Sequence, residues 1–253
     1  MITLIAIVIW IILCVPIVLL PFLKVEQIIL FNYSLIAQII APFASAACCY
    51  MTSFVFPKED AMRKVWSLLG TGVLCWGVGA MLFAAYPFLY GGEETPYPWY
   101  ADVGYLLLAP CIITAFFIFK RNLHIEVPLW GWISAIAFFA AAFTLYVVFN
   151  LNKLAESESF ISYTVTILYT VADPLLLGGT VITASLLAGG AVARPWWLVL
   201  MGLVFYYMAD LIYTYLTITD QYATGHIIDL GWLIGFGCIA VAALMTRSLF
   251  KEF

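Results

Sequence analysis

The stretch from Asp229 to Arg247 reads DLGWLIGFGCIAVAALMTR, and a similar stretch occurs earlier in the chain. Residues 102–120 read DVGYLLLAPCIITAFFIFK, and the two stretches share Asp, Gly, Leu, Cys, Ile and Ala at one constant offset of 127 residues. Both are apolar, about one bilayer long, and run from an acid to a cation. Because the offset is half of the 253-residue chain, the sequence predicts a duplicated unit.

The composition places this chain in a membrane. Hydrophobic residues make up 66% of it, charged residues 9%, and the mean hydropathy is +1.09. Soluble globular domains have about 45–50% apolar and about 25% charged residues. The sequence therefore predicts a polytopic integral membrane protein whose first partner is the lipid bilayer. The six cysteines fall within apolar runs, so we expect buried thiols rather than a disulfide framework or a zinc site.

Charged, Pro and Gly clusters divide the chain into eight apolar segments. Backbone groups in lipid must be hydrogen-bonded internally, so the predicted fold class is all-α. Four spans in each half give both halves the same polarity, which predicts a parallel 4+4 repeat with residues 1–127 as the first unit and 128–253 as the second. Pro16 and Pro21 make the first span the weakest prediction. The predicted spans are roughly 2–23, 28–56, 64–88, 99–119, 128–149, 160–188, 195–217 and 226–247.

The distribution of Lys and Arg predicts the orientation, because cations are retained on the cytoplasmic side. Alternate loops and the tail carry eight of the ten cations, namely Lys58, Arg63, Lys64, Lys120, Arg121, Arg194, Arg247 and Lys251. Both termini are therefore expected in the cytoplasm, most simply at the plasma membrane. The other face is acidic, with Glu26, Glu93, Glu94, Glu156, Glu158 and Asp220. That charge disfavours nucleic acid as a partner.

Four acids lie within or at the ends of the spans: Asp102, Asp173, Asp210 and Asp229. An isolated Asp at the centre of a membrane helix costs about 2.5–3.5 kcal/mol, so each must be compensated. The predicted orientation places all four in the outer half or at mid-depth. Asp102 and Asp229 fall in the first turns of their helices, so one interpretation is that they are helix caps and have no further role. Asp173 precedes Pro174, which predicts a broken helix and a freed carbonyl beside a carboxylate.

Tyrosines accompany these acids at helical spacing. Tyr105, Tyr169, Tyr206 and Tyr213 each lie three or four residues from an acid of the same span, and therefore on the same face. We expect these tyrosines and the four acids to line a polar cavity. Tyr97, Trp99 and Tyr100 are predicted instead to form an aromatic belt at the membrane interface. Gly231 and Gly235 have the spacing that allows close helix packing.

Several function classes lack their residues. The two histidines, His124 and His226, lie in loops on opposite faces, so a zinc hydrolase or a bis-histidine haem site is excluded. No predicted span contains Lys, which excludes a retinal Schiff base. The sequence identifies no cofactor and leaves open whether a metal binds.

A resemblance adds a functional expectation. Ala101-Asp102-x-x-Tyr105, Asp173-Pro174, Ala209-Asp210-x-x-Tyr213 and Asp229-x-x-Trp232 resemble motifs of the multi-helix membrane sensor regions that precede diguanylate cyclase and phosphodiesterase output domains in bacterial signalling proteins. The likeness covers about residues 60–247. It implies signal sensing by a membrane region, with this chain either a stand-alone relative or a fragment of a longer protein, and it implies no catalytic residue.

The preferred prediction is thus a receptor-like or sensor-like module that binds a small polar ligand or a cation in the acid- and Tyr-lined cavity. A proton- or cation-coupled transporter is the alternative, because the same acids could bind and release protons. An intramembrane enzyme that uses carboxylates ranks third, and it would need Asp173 and Asp210 at one depth. A protein partner or a second copy of the chain stays open.

Overall fold

The computed structural model describes residues 2–91, 93, 95–155, 159–187 and 193–251, which excludes Glu94, Glu156 and Glu158 of the predicted acidic face. The described residues form eight helices, and each is long and apolar enough to cross a bilayer. The all-α prediction with eight spans is confirmed at this level. The helices are α1 (Ile2–Phe22), α2 (Gln27–Ser53), α3 (Ala61–Leu89), α4 (Tyr100–Leu123), α5 (Leu129–Ala155), α6 (Phe160–Ser185), α7 (Ala193–Ile218) and α8 (Asp229–Lys251).

Prolines lie inside several helices without ending them. Pro16 and Pro21 lie within α1, and Pro174 lies within α6, which is continuous from Phe160 to Ser185. The prediction that the helix is broken at Asp173-Pro174 is therefore wrong. A proline removes only one backbone donor, and the turns on both sides keep their own hydrogen bonds while neighbouring helices pack around the site.

Six helices form a closed ring. In spatial order α2, α3, α4, α6, α7 and α8 each pack against the next, and α8 packs against α2 to close the ring. Helix α1 packs outside the ring, mainly on α8, and α5 packs outside it, mainly on α6. Helix α8 is the most deeply buried of the eight, while α1 and α5 are the least buried. The ring therefore surrounds a shared interior that both halves of the chain line.

Glycines allow the neighbouring helices of the ring to approach closely. A Cβ atom on Gly104 of α4 would lie 2.5 Å from the carbonyl oxygen of Cys75 in α3. A Cβ atom on Gly235 of α8 would lie 2.8 Å from the carbonyl oxygen of Gly202 in α7, and one on Gly231 would lie 2.7 Å from Cβ of Ala209. The predicted role of Gly231 and Gly235 in close helix packing is confirmed.

The ring interior and the outer surface differ in the way a bilayer demands. Trp66, Trp76 and Phe236 are buried in the main core. Large apolar side chains such as Ile9 and Phe160 project from the outer surface, where lipid would cover them. Helix α1 is held by more than apolar contact, since the buried Trp10 indole N–H donates to the carbonyl oxygen of Leu233 at 2.7 Å.

Candidate ligand-binding site

A cavity of about 170 Å³ lies inside the ring, at the end where α4 and α8 begin. It is lined by seven of the eight predicted site residues, namely Asp102, Tyr105, Tyr169, Asp173, Tyr206, Asp210 and Tyr213. They come from three different helices. Asp229 is the predicted site residue that is not part of the described lining.

Asp102 uses both carboxylate oxygens within the protein. Its Oδ2 accepts the backbone N–H of Trp99 at 2.7 Å, which is the capping arrangement expected for an acid in a first helical turn. Its Oδ1 accepts the hydroxyl of Tyr169 at 2.8 Å, and this bond joins α4 to α6. Asp102 thus has a structural role in addition to its position in the cavity wall.

Asp173 keeps one oxygen available. Its Oδ2 accepts the hydroxyl of Tyr146 from α5 at 2.6 Å, and the side chain is only 4% exposed. No donor among the described residues reaches Oδ1. A carboxylate oxygen has capacity for further hydrogen bonds, so Oδ1 can accept a donor from a molecule in the cavity.

Asp210 lines the same cavity as Asp173. The indole N–H of Trp232 in α8 donates to Asp210 Oδ1 at 2.7 Å, and Tyr206 of the same helix as Asp210 also lines the cavity. The side chain is half-buried. Two carboxyl groups, carried by adjacent helices of the ring, therefore face the same small space.

Asp229 has a purely internal set of partners. Its Oδ2 accepts the Ser34 hydroxyl at 2.5 Å and the Gly225 backbone N–H at 2.8 Å, and its Oδ1 accepts the Tyr222 hydroxyl at 3.0 Å. The residue is fully buried. Burial, and then the nearby carboxylate, raise the pKa of Tyr222 well above its ordinary value, so this phenol stays protonated and keeps donating. Asp229 fastens α2 and the α7–α8 loop to the start of α8.

Spacing within one helix did not indicate which acid each tyrosine contacts, because tyrosine hydroxyls here donate to acids on other helices. Tyr169 lies four residues before Asp173, yet its hydroxyl reaches Asp102. Helical side chains lean towards the helix N-terminus, so the long phenol of Tyr169 points away from Asp173 and towards the start of α4. Tyr146 of α5 takes the place beside Asp173 instead.

Aromatic rings form much of the remaining wall. The ring of Trp76 lies 5.0 Å from that of Tyr105 and 6.2 Å from that of Trp232, measured between centroids. Tyr213 lies 5.6 Å from Trp232 in an edge-on arrangement. The cavity therefore combines carboxyl groups with the faces and edges of several large rings.

The loop before α4 contributes the rim of the cavity. Tyr97 and Trp99 line it, a position that the prediction of an interfacial belt did not include, and Tyr100 is 71% exposed. Tyr97 shares a hydrogen bond of 2.9 Å with the Thr166 hydroxyl. Partial burial raises the pKa of Tyr97 to about 12, an effect that the bond to Thr166 partly opposes.

The lining also includes residues that were not predicted as site residues, among them Trp76, Tyr146 and Trp232. Trp232 carried a signal, because it lies three residues after Asp229 just as Tyr105 lies three residues after Asp102. Tyr146 carried none, since it lies 27 residues from its acid on a separate helix. Trp76 lies on α3, a helix of the ring on which no site residue was predicted.

The electrostatic character of the cavity is one-sided. Three carboxyl groups line it, and no Lys, Arg or His occurs in the lining that the structure describes. Within the described residues, no three His, Cys, Asp or Glu side chains are grouped closely enough to hold a metal ion. No protein-family model, no curated protein and no solved structure matches the chain.

Proposed function

We propose that this chain is a receptor-like module that binds a small organic cation, a protonated amine, in the acid- and Tyr-lined cavity. The observation that carries the proposal is the convergence of three carboxyl groups and several aromatic rings on one space without a basic side chain in the described lining. A sensing role agrees with the resemblance of the sequence to membrane sensor regions.

Charge favours a cationic ligand. Away from water, an unpaired carboxylate is costly, and a bound cation offsets that cost through Coulomb attraction. The available Oδ1 of Asp173 can accept a charged N–H donor, which gives a stronger hydrogen bond than a neutral donor does. The rings of Trp76, Tyr105 and Trp232 offer cation–π contact to the rest of the ligand.

The size of the cavity limits the ligand. A dry engineered cavity of about 150 Å³ holds one benzene molecule, so about 170 Å³ suits a ligand of roughly six non-hydrogen atoms. Since no three acidic, Cys or His side chains of the described residues are grouped closely enough to hold a metal ion, a small amine fits the site better than a divalent metal.

We also propose that the chain consists of two copies of one four-helix unit, each of which contributes three helices to the ring. A Cβ atom on Gly72 of α3 would lie 3.0 Å from Cβ of Cys111 and 3.1 Å from the carbonyl oxygen of Leu108 in α4. A Cβ atom on Gly202 of α7 would lie 3.0 Å from Cβ of Cys238 and 2.6 Å from the carbonyl oxygen of Gly235 in α8. These two residues lie 127 positions after Cys111 and Leu108. The cyclic order of the ring helices also repeats after three members.

The two copies differ at the positions of the acids. Aligning Pro42 of α2 with Pro174 of α6 pairs Ala41 with Asp173. The Gly72 to Gly202 alignment likewise pairs Ala80 of α3 with Asp210. The mid-span acids thus belong to the second unit, in line with a single cation site in the duplicated protein.

The alternative, a coupled transporter, would need polar positions towards the other end of the ring. On α6 the hydroxyls there belong to Thr180, Thr183 and Ser185, and each donates to a backbone carbonyl of its own helix. Their donors are therefore already used within α6. This arrangement favours binding over transport.

The test is a ligand-induced thermal shift on the purified full chain. Piperidinium has six ring atoms and a charge, and tetrahydropyran is its neutral isostere. We expect piperidinium to stabilise the protein, tetrahydropyran to have little effect, and Asp173→Asn to weaken piperidinium binding about tenfold or more, since it removes a charge-assisted hydrogen bond.

Asp220→Asn is the matched control, because it removes an exposed acid at the same end of the bundle and should leave binding unchanged. Equal stabilisation by both ligands, or full binding by the Asp173 variant, would contradict the proposal. Amine flux into proteoliposomes that disappears with Asp173→Asn would favour the transporter instead.

A further inference from the structure

A second cavity, of about 180 Å³, lies at the opposite end of the ring. Its wall is formed where α4 and α8 end and where α3 and α7 begin. The lining is almost entirely apolar, so this cavity cannot serve the kind of ligand that the acid-lined cavity favours. The lining residues are Met62, Phe119, Asn122, Leu123, Leu187, Pro195, Trp196, Thr246, Leu249 and Phe250.

An aromatic stack supports one wall of this cavity. The centroid of the Trp196 ring lies 4.0 Å from that of Phe119 and 5.6 Å from that of the buried Trp66, in tilted arrangements with interplanar angles of 32° and 33°. These rings come from α7, α4 and α3. The wall is therefore built from well-packed side chains of three helices, which can hold the shape of an apolar pocket.

One polar atom in the wall lacks a partner. Thr246 is 3% exposed, and its hydroxyl makes no hydrogen bond among the described residues. Ser248, two residues later, donates to the carbonyl oxygen of Leu244 in its own helix, which shows the bond that Thr246 forgoes. Buried hydroxyls are normally satisfied, so the Thr246 hydroxyl is an exception, and its oxygen lies within the packed wall rather than at the cavity surface.

Cations surround the end of the bundle at which this cavity lies. Lys120 and Arg121 directly follow the lining residue Phe119 in the last turn of α4, and Arg194 directly precedes the lining residue Pro195. Arg121 and Arg194 are exposed. In the described part of the chain, none of these cations forms an ion pair. Their charges are free to attract an acidic head group.

We propose that the second cavity binds a segment of about six carbons of an acyl chain of an anionic phospholipid, and that the rest of the chain extends into the bilayer. The apolar wall holds the chain, and Lys120, Arg121 and Arg194 attract the phosphate-bearing head group. Each part of the lipid then meets the chemistry that suits it. The second cavity is separate from the acid-lined cavity, and its occupation by lipid does not depend on the proposed receptor function.

The experiment is native mass spectrometry of the full chain exchanged into mixed micelles with equal amounts of phosphatidylglycerol and phosphatidylcholine. We expect one strongly retained phosphatidylglycerol. Arg194→Gln should lower its retention about fivefold, since one cation near a lipid head group is worth about that factor. Leu123→Trp, which fills the cavity, should abolish retention.

Lys58→Gln is the matched control, because it removes an exposed cation that neighbours no lining residue, and it should change nothing. Equal retention of the two lipids, undiminished retention in Leu123→Trp, or equal losses for Lys58→Gln and Arg194→Gln would overturn the proposal. The surface variants keep the test decisive if Leu123→Trp fails to fold.

Discussion

Individual carboxyl groups in this protein differ in what the fold leaves free. Asp229 receives three hydrogen bonds and is fully buried, whereas Asp173 receives one and keeps an oxygen that faces the cavity. Both are aspartates in apolar spans, yet one is committed to structure and the other is available to a ligand. Hydrogen-bond partners, more than depth or burial, separate the two roles.

Asp229→Asn should therefore destabilise the protein without altering ligand recognition. The amide places N–H donors where the carboxylate accepted from Ser34, Gly225 or Tyr222, and hydrogen bonds to a charged group contribute about 1.5–3 kcal/mol each. We expect a lower melting temperature with the piperidinium-induced shift preserved. A variant as stable as the parent that has lost the shift would show that Asp229 belongs to the binding site.

At the scale of helices, small residues decide how closely neighbours pack. Gly72 lies at the crossing of α3 with α4 and Gly202 at that of α7 with α8, and at both an added Cβ would press on backbone and Cys side chains; the proposed repeat makes these crossings equivalent. Contacts with backbone cannot relax cheaply. The two crossings should thus respond alike to the same change.

Gly72→Ala and Gly202→Ala should each lower the melting temperature by a similar amount, because each forces two helices apart. Gly179→Ala is the control, since its Cβ would have its nearest neighbour at 3.7 Å, and alanine favours a helix over glycine by about 1 kcal/mol. Thermal unfolding in one detergent provides the comparison. If only one crossing is sensitive, the two units do not pack equivalently, and the repeat proposal fails.

For the whole molecule, the ring has two unlike ends. The acid-lined cavity lies at one end, and the apolar cavity with its neighbouring cations lies at the other. We propose that the cationic end faces the cytoplasm, following the tendency of Lys and Arg to remain inside. In this orientation the acid-lined cavity lies towards the outer side of the membrane.

Cysteine labelling tests that orientation with two exposed glutamates, one in the loop before α4 and one in the loop after it. In a background without native cysteines, Glu93→Cys should react with an impermeant maleimide on intact cells. Glu126→Cys should react only after permeabilisation. Equal reactivity of the two positions on intact cells would reject the proposed topology.

The sequence by itself determined the eight apolar helices and seven of the residues that came to line the cavity, because hydropathy and helical spacing act over short distances along the chain. Only the tertiary structure decided the pairing of donors with acids. Tyr169 meets Asp102 across 67 residues, and Ser34 meets Asp229 across 195. Such pairs depend on which helices become neighbours in the ring, and that arrangement results from the packing of all the spans together.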